Sequence, residues 1–342
     1  MLIKGSPSAG YFGQRLSDAT FQTTPAMLAS LPLSQLWRDA PLRMGAAALL
    51  LALGLQQAVV RSDLDDRLYA AWMRASVPAQ EAGRGIGLFG YQAEIQGKAL
   101  AGVADNASGL AWNGDTGTLF LAINNPEQII ELSPRGEVLR RIELSGFSDV
   151  ESLDWVGGSR FVLAEERRQA LVLVDLNETQ TRIARDQARS FSLGIEAGNN
   201  KGFEGIAWDP RDNGLYIARE RDPMRLYKLL GLLDGGPNAQ ISLVADLPEE
   251  AGALAHNSDL SGLHFDPVSN SLLVLSDESR LLSEVRPNGR AVSFLELSRG
   301  WHGLEKDVPQ AEGVAMDEEG TLYLVSEPNL FYVFKRGAGE RP

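Results

Sequence analysis

Hydrophobic and polar residues alternate in one recurring pattern along most of the chain. It reads "SGLAWNGDTGTLFLAINN" from Ser108, "ESLDWVGGSRFVLAEER" from Glu151 and "EGIAWDPRDNGLYIARER" from Glu204. It returns as "SGLHFDPVSNSLLVLSDES" from Ser261 and "EGVAMDEEGTLYLVSEP" from Glu312. Within each copy, apolar residues fall at every second position, as in Ile206 and Trp208 against Gly205 and Ala207, which is the period of a β-strand. A turn rich in Asp, Asn, Gly and Pro follows, then a second strand, so each copy predicts a hairpin. The copies start about 43 to 57 residues apart, the spacing of propeller blades.

Two further strand-like runs follow the hairpin in the first four copies, for example "QIIELS" and then "EVLRRIEL". The expected fold is all-β, a five-bladed propeller of four-stranded antiparallel blades over residues 91–336. The last copy ends one strand short, while "YQAEIQGKAL" (Tyr91–Leu100) is a strand without a hairpin of its own. That strand is expected to complete the last blade and close the ring, which removes an exposed edge. Gly109, Gly205, Gly262 and Gly313 occupy one register of the first strands, where backbones crowd the axis; the second copy has Ser152 instead.

Upstream, residues 1–43 are polar and without pattern, and "MGAAALLLALGLQQAVV" (Met44–Val60) is apolar. This stretch is short for a span of about 20 residues and lacks a good small-x-small cleavage motif. It is read as an uncleaved single-pass anchor helix, with a cleaved signal or a buried soluble helix as alternatives. Arg38 and Arg43 before it and Arg61, Arg67 and Arg74 after it leave its orientation open. Residues 1–43 are then a cytoplasmic segment, or a mis-assigned start with Met27 as the true one. Residues 61–90 form a linker and 337–342 a tail.

Pairing each hairpin from its turn sets Ser108 opposite Asn124, Glu151 opposite Glu166 and Glu204 opposite Glu220. It likewise sets Ser261 opposite Asp277 and Glu312 opposite Glu327. Cross-strand partners share a face, so fivefold repetition gathers these positions around one mouth of the channel. Seven of them are acidic: Glu151, Glu166, Glu204, Glu220, Asp277, Glu312 and Glu327. Clustered carboxylates repel, and a hard divalent cation relieves that repulsion. The oxygen donors and wide ring suit Ca2+ better than Mg2+ or a soft metal. A salt-bridged rim using Arg167, Arg219 and Arg221 is the alternative. Asn106, Asp149, Asn200 and Asp259 lie just upstream, where they complete the coordination or line a ligand site together with Ser108, Asn124 and Ser261.

Over 342 residues the hydrophobic fraction is 44%, ample for a core, and the formal net charge of −13 disfavours nucleic acid as a partner. With no cysteine, disulfides and thiolate sites are ruled out. Three histidines are present, His256, His264 and His302, none in a recognisable acid–base motif.

The phrases "NKGFEGIAWDP", "DLSGLHFDP", "LVLSDESRLL" and "PQAEGVAMDEEGTLYLVSEPNLFYVF", in that order, resemble the SdiA-regulated (YjiK-like) bacterial family over residues 90–336. The resemblance implies a five-bladed propeller distantly similar to NHL-repeat proteins, a bound calcium ion, and an inner-membrane anchor with the propeller in the periplasm. The function expected is a ligand-binding or interaction module for a small ligand or envelope protein. A calcium-dependent hydrolase of a lactone or phosphoester is the alternative.

Overall fold

The five expected hairpins fold as antiparallel pairs, and each grows outward into a blade. In the computed structural model, residues 85–193, 202–221, 223–233, 241–248, 254 and 257–337 are described, with isolated positions at Met44, Leu49, Leu50 and Ala75. The expected anchor helix and residues 1–43 thus fall outside the described residues, apart from those isolated positions. Among the described residues no helix is long and apolar enough to cross a membrane. Cα packing divides the chain into residues 1–65 and 66–342, and the propeller belongs to the second unit.

Strand β1 is Tyr91–Ala99. Blade one holds β2 (Ala107–Asn113), β3 (Thr118–Asn124), β4 (Glu127–Leu132) and β5 (Val138–Ser145). Blade two holds β6 (Val150–Trp155), β7 (Arg160–Glu165), β8 (Ala170–Asp175) and, after β9 (Arg182–Ala184), β10 (Arg189–Ser192). Blade three is β11 (Phe203–Asp209), β12 (Gly214–Arg219), β13 (Arg225–Leu230) and β14 (Ser242–Pro248). Blade four is β15 (Gly262–Asp266), β16 (Ser271–Ser276), β17 (Leu281–Val285) and β18 (Ala291–Glu296). Blade five has β19 (Ala311–Met316), β20 (Leu322–Ser326) and β21 (Leu330–Arg336). Its fourth strand is β1, antiparallel to β21 from Tyr91 opposite Arg336 to Ala99 opposite Leu330. One feature departs from the repeat: β9 leaves blade two and adds parallel to β5, which covers the outer edge of blade one.

The core lies between the blades rather than at the axis. Five apolar clusters each draw on two neighbouring blades, as where Phe120 and Ile142 meet Phe161 and Val174. This explains the burial of the middle strands on both faces, complete in β12 and β16, whereas outer β5 alternates. Residues 85–90, assigned to the linker from the sequence, pack against blade four. Ile86 and Leu88 are buried, and the wholly buried Glu284 accepts hydrogen bonds from Ile86 N at 2.8 Å and Gly87 N at 3.1 Å. Ser271 and Ser293 donate to the same carboxylate at 2.7 and 2.5 Å, so this buried charge is fully partnered. His302 fastens β1 from the other side, with Nδ1 at 2.9 Å from Tyr91 O and its own carbonyl accepting from Ala93 N at 2.8 Å.

At the axis the first strands nearly touch. A Cβ on Gly109 would lie 2.6 Å from Ser152 Cα, one on Gly262 2.7 Å from Glu312 O, and one on Gly313 2.6 Å from Ser108 O. Ser152 is tolerated in blade two because its hydroxyl accepts a hydrogen bond from Ile206 N at 3.1 Å. Gly109→Ala is expected to destabilise the propeller by about 2–3 kcal/mol through this overpacking, read by chemical denaturation. Deletion of residues 91–100 is expected to lower the melting temperature of the whole domain; an unchanged value would refute closure by β1.

Candidate metal centre

The acidic positions lie where each first strand enters the channel, but simple cross-strand pairing does not place them there. The register runs one residue shorter than expected, so Trp208 faces Leu215 and Met316 faces Leu322, not Tyr216 and Tyr323. A bulge then interrupts the ladder at the acid itself. It falls between Ala107 and Leu110, Val150 and Ser152, Phe203 and Gly205, and Ala311 and Gly313. A bulge sets two residues against one and re-aims a side chain. Glu151, Glu204 and Glu312 are the residues so re-aimed, with Ser108 at the equivalent position. They are not the partners of Glu166, Glu220 and Glu327.

Those partners lie two residues upstream of the acid. Asn106, Asp149 and Gln310 adopt positive φ of 64°, 58° and 25°, a conformation that Asn and Asp tolerate well. There the ladder resumes: Asn124 N donates to Asn106 O at 3.4 Å, Glu166 N to Asp149 O at 2.9 Å, and Glu327 N to Gln310 O at 2.9 Å. In blade four the paired ladder begins only at Gly262, opposite Leu275, and Ser261 N donates to Leu275 O at 3.0 Å.

The bulges bring the acids together. Asp149, Glu151 and Glu166 each present a carboxylate oxygen, all within 4.8 Å of one another. Burial pushes Glu151 up to about 7, and the charges of Asp149 and Glu166 add to this. Against it work Ser108 and Asn124, whose Nδ2 reaches the two Glu151 oxygens at 2.8 and 3.1 Å. Glu204 is held well above the usual carboxylate range, first by burial and then by Glu151, Glu166, Glu220 and Glu312. It feels acids from three blades. Burial raises Glu312 to about 8, opposed by a hydrogen bond with Gln310 and reinforced by Asp277, Glu327 and Glu151. Burial also raises Glu166, Asp277 and Glu327.

Rim pairing is present too, but only at the periphery. Arg221 Nε lies 2.5 Å from Glu220 Oε1 and its Nη1 2.6 Å from Glu278, while Arg167 stands 3.2 Å from Asp149. Arg219 is buried within β12. Among the described residues, Glu151, Glu204 and Glu312 form no ion pair, and Glu204 receives no hydrogen bond. Four of the sequence-derived positions make hydrogen bonds within the framework. Asp259 is buried and accepts from Ser276 Oγ and from Glu278 N at 3.1 Å, and Ser261 Oγ donates across blades to Ala311 O at 2.7 Å. Asp277 likewise accepts from Ala311 N at 3.1 Å, and Asn106 donates to Asn125 O at 2.9 Å. Asn200 and His256 lie outside the described residues.

Sequence reading missed Gln310. Its signal was available in the alignment of the repeats, where Asn106, Asp149, Gly202, Asp259 and Gln310 each stand two residues ahead of the mouth position.

A family model described as SdiA-regulated matches residues 84–335. The chain belongs to that family. Solved structures similar to it include a luciferin-regenerating enzyme, 13% identical, with 72% of this chain and 96% of that one covered at a TM-score of 0.48. Streptogramin B lyase is 10% identical, with 72% and 98% covered at 0.45. A chain of a nidogen/laminin complex is 17% identical, with 69% and 84% covered at 0.45. Likenesses of this size carry no argument about what this family member binds or does.

The acidic cluster is therefore a candidate metal site made wholly of oxygen donors, with its inner carboxylates unpaired among the described residues. Its protonation has a consequence for stability. Carboxylates raised from an ordinary value near 4.5 to about 7 and about 8 bind protons more tightly in the folded than in the unfolded chain. The stabilisation is complete below the unfolded value and is lost as pH rises through the folded one. Melting of the protein in EDTA is expected to fall steadily from about pH 5 to about pH 8, and Glu204→Gln with Glu312→Gln to flatten that slope.

Proposed function

We propose that the acidic mouth holds a calcium ion and that the protein is a calcium-stabilised binding module of the cell envelope. The convergence of Asp149, Glu151 and Glu166, whose carboxylate oxygens lie within 4.8 Å of one another, supports this reading, as do the half-buried Glu204 and Glu312, which share their field and have no cationic partner among the described residues. Asp149, Glu151, Glu166, Glu204 and Glu312 would hold the ion, with Glu220, Asp277 and Glu327 further out. Calcium accepts six to eight oxygens in flexible geometry, which suits a lopsided set of carboxylates; magnesium demands a tighter octahedron. In this proposal the apolar stretch 44–60 anchors the chain in the inner membrane, with the propeller on the periplasmic side. A site there can work at the calcium affinities of extracellular modules, about 10⁻⁴–10⁻³ M. Bound calcium would turn an electronegative cup into a recognition surface for an anionic or oxygen-rich group on a small ligand or envelope protein.

A second reading, a calcium-dependent hydrolase of a lactone or phosphoester, draws on one observation. Glu151 and Glu312, raised to about 7 and about 8, lie near the value that suits a general base at neutral pH. The base would have to be a glutamate rather than either described histidine. His302 Nε2 is engaged by Glu296 at 2.6 Å, and His264 lines the opposite end of the channel.

In a fragment spanning residues 84–342, EDTA is expected to lower the melting temperature and calcium at 100 times its Kd to raise it by about 5–10 °C. Glu204→Gln should abolish that rise, and absence of any calcium shift would overturn the reading. Lactone or phosphoester turnover that needs calcium and disappears in Glu204→Gln would select the hydrolase.

A further inference from the structure

The channel has a second mouth, at the hairpin turns, and its chemistry differs from that of the first. A cavity of about 430 Å³ opens there, the size of a small-molecule site. The repeat builds it. One register of the five first strands supplies Trp112, Trp155, Trp208, Phe265 and Met316, all of which line it. The preceding register is alanine in blades one, three and five, but Asp154 in blade two and His264 in blade four, and these two line the cavity as well.

The charges around this apolar wall are mostly of one sign. Asp154 accepts from Trp155 N at 2.9 Å and Trp208 N at 2.6 Å, and Asp266 from Val268 N at 3.1 Å and Ser269 N at 2.9 Å. Asp317 accepts from Thr321 N at 2.6 Å and Tyr323 Oη at 2.8 Å, and Glu318 from Trp112 Nε1 at 2.8 Å. Each of these donors is neutral. The cationic side chain in the lining is Arg160, which is exposed. The His264 ring makes no hydrogen bond among the described residues, and burial lowers its pKa to about 4, so it adds no positive charge at neutral pH. The result is a chamber with three tryptophans in its wall, where acidic side chains outnumber cationic ones: Arg160 is exposed at the lining, and Arg211, already paired with Asp209, lies over the Phe265 ring at 4.6 Å.

We propose that this second mouth binds an organic cation, an ammonium group carried on an aromatic or alkyl body. Tryptophan attracts such a group through its ring quadrupole, more strongly when water is excluded, and the carboxylates add Coulomb attraction. A simple metal ion would find the wall too apolar, and an anion would meet the carboxylates of Asp266, Asp317 and Glu318, with Asp154, which burial raises to about 7, adding part of a charge at neutral pH. The site is separate from the acidic mouth and does not require that calcium bind there.

Calorimetric titration of the full-length chain in detergent with benzyltrimethylammonium, benzyl alcohol and phenylacetate tests the proposal. Saturable binding of the ammonium compound at least about tenfold tighter than the uncharged and anionic probes is the expected result. The combination of Asp154→Asn and Glu318→Gln should weaken it about tenfold. Glu318→Gln alone, an exposed change whose amide oxygen still accepts from Trp112, should weaken it about threefold. Glu204→Gln should leave it unchanged. Absence of saturable binding, equal affinity for all three probes, or sensitivity to Glu204→Gln but not to Glu318→Gln would overturn it.

Discussion

The backbone contact among the five first strands at the axis is the constraint on which the rest of the structure depends. Where Gly109 meets Ser152, Gly262 meets Glu312 and Gly313 meets Ser108, the spacing leaves no room for a Cβ. Strands that close must come from a ring that is complete. The closing contact is made by β1 on β21, and Tyr91, His302 and Glu284 hold the incoming chain in place around it. A propeller without this closure would have two free sheet edges and one apolar interface open to water. Closure is thus a condition for the sites as well as for stability, because both mouths are assembled from all parts of the ring.

The two mouths show how one repeat generates two environments. At the entry of four of the five first strands, a bulge turns a residue out of the ladder, and in three of these blades that residue is glutamate. Half-buried carboxylates from separate blades then lie close enough to raise one another's proton affinity. At the exit, the same strands present large apolar side chains, three of them tryptophan. The sheets between carry alanine and glycine, whose small size lets the blades approach. Asp154 and His264 break that small-residue register, and both occur at the apolar end. Their burial costs free energy that packing alone does not require, which is why they draw attention to that end of the channel.

Electrostatics also separates the residues that build the framework from those free to bind. Glu284, Asp259 and Ser261 are polar and buried, yet each has donors or acceptors supplied by the protein. Glu220 and Asp149 have arginine partners at the rim. Glu204 has neither among the described residues, and acids of three blades act on it. A half-buried carboxylate in that position is stabilised by holding a proton or by a cation that comes to it.

By itself the sequence determined the number of blades, the closing strand and the glycine register, because these follow from periodicity and from the absence of a side chain, both visible in one dimension. The gathering of acids at one mouth was legible for the same reason: symmetry carries a repeated position to a common axis. Only the tertiary structure decided how the acids point. Index counting paired Glu204 with Glu220, whereas the ladder gains one residue at the bulge and gives the pairing to Asp149 with Glu166 and Gln310 with Glu327. A bulge leaves only a weak trace in sequence, since it depends on positive φ at Asn106, Asp149 and Gln310 and on neighbouring strands that hold it. Tertiary structure also decided that Asp259 and Ser261 serve the framework, that β9 caps blade one, and that tryptophans from three blades line one chamber. Each of these depends on which strand lies beside which, a relation set by packing between blades and not by the pattern within one.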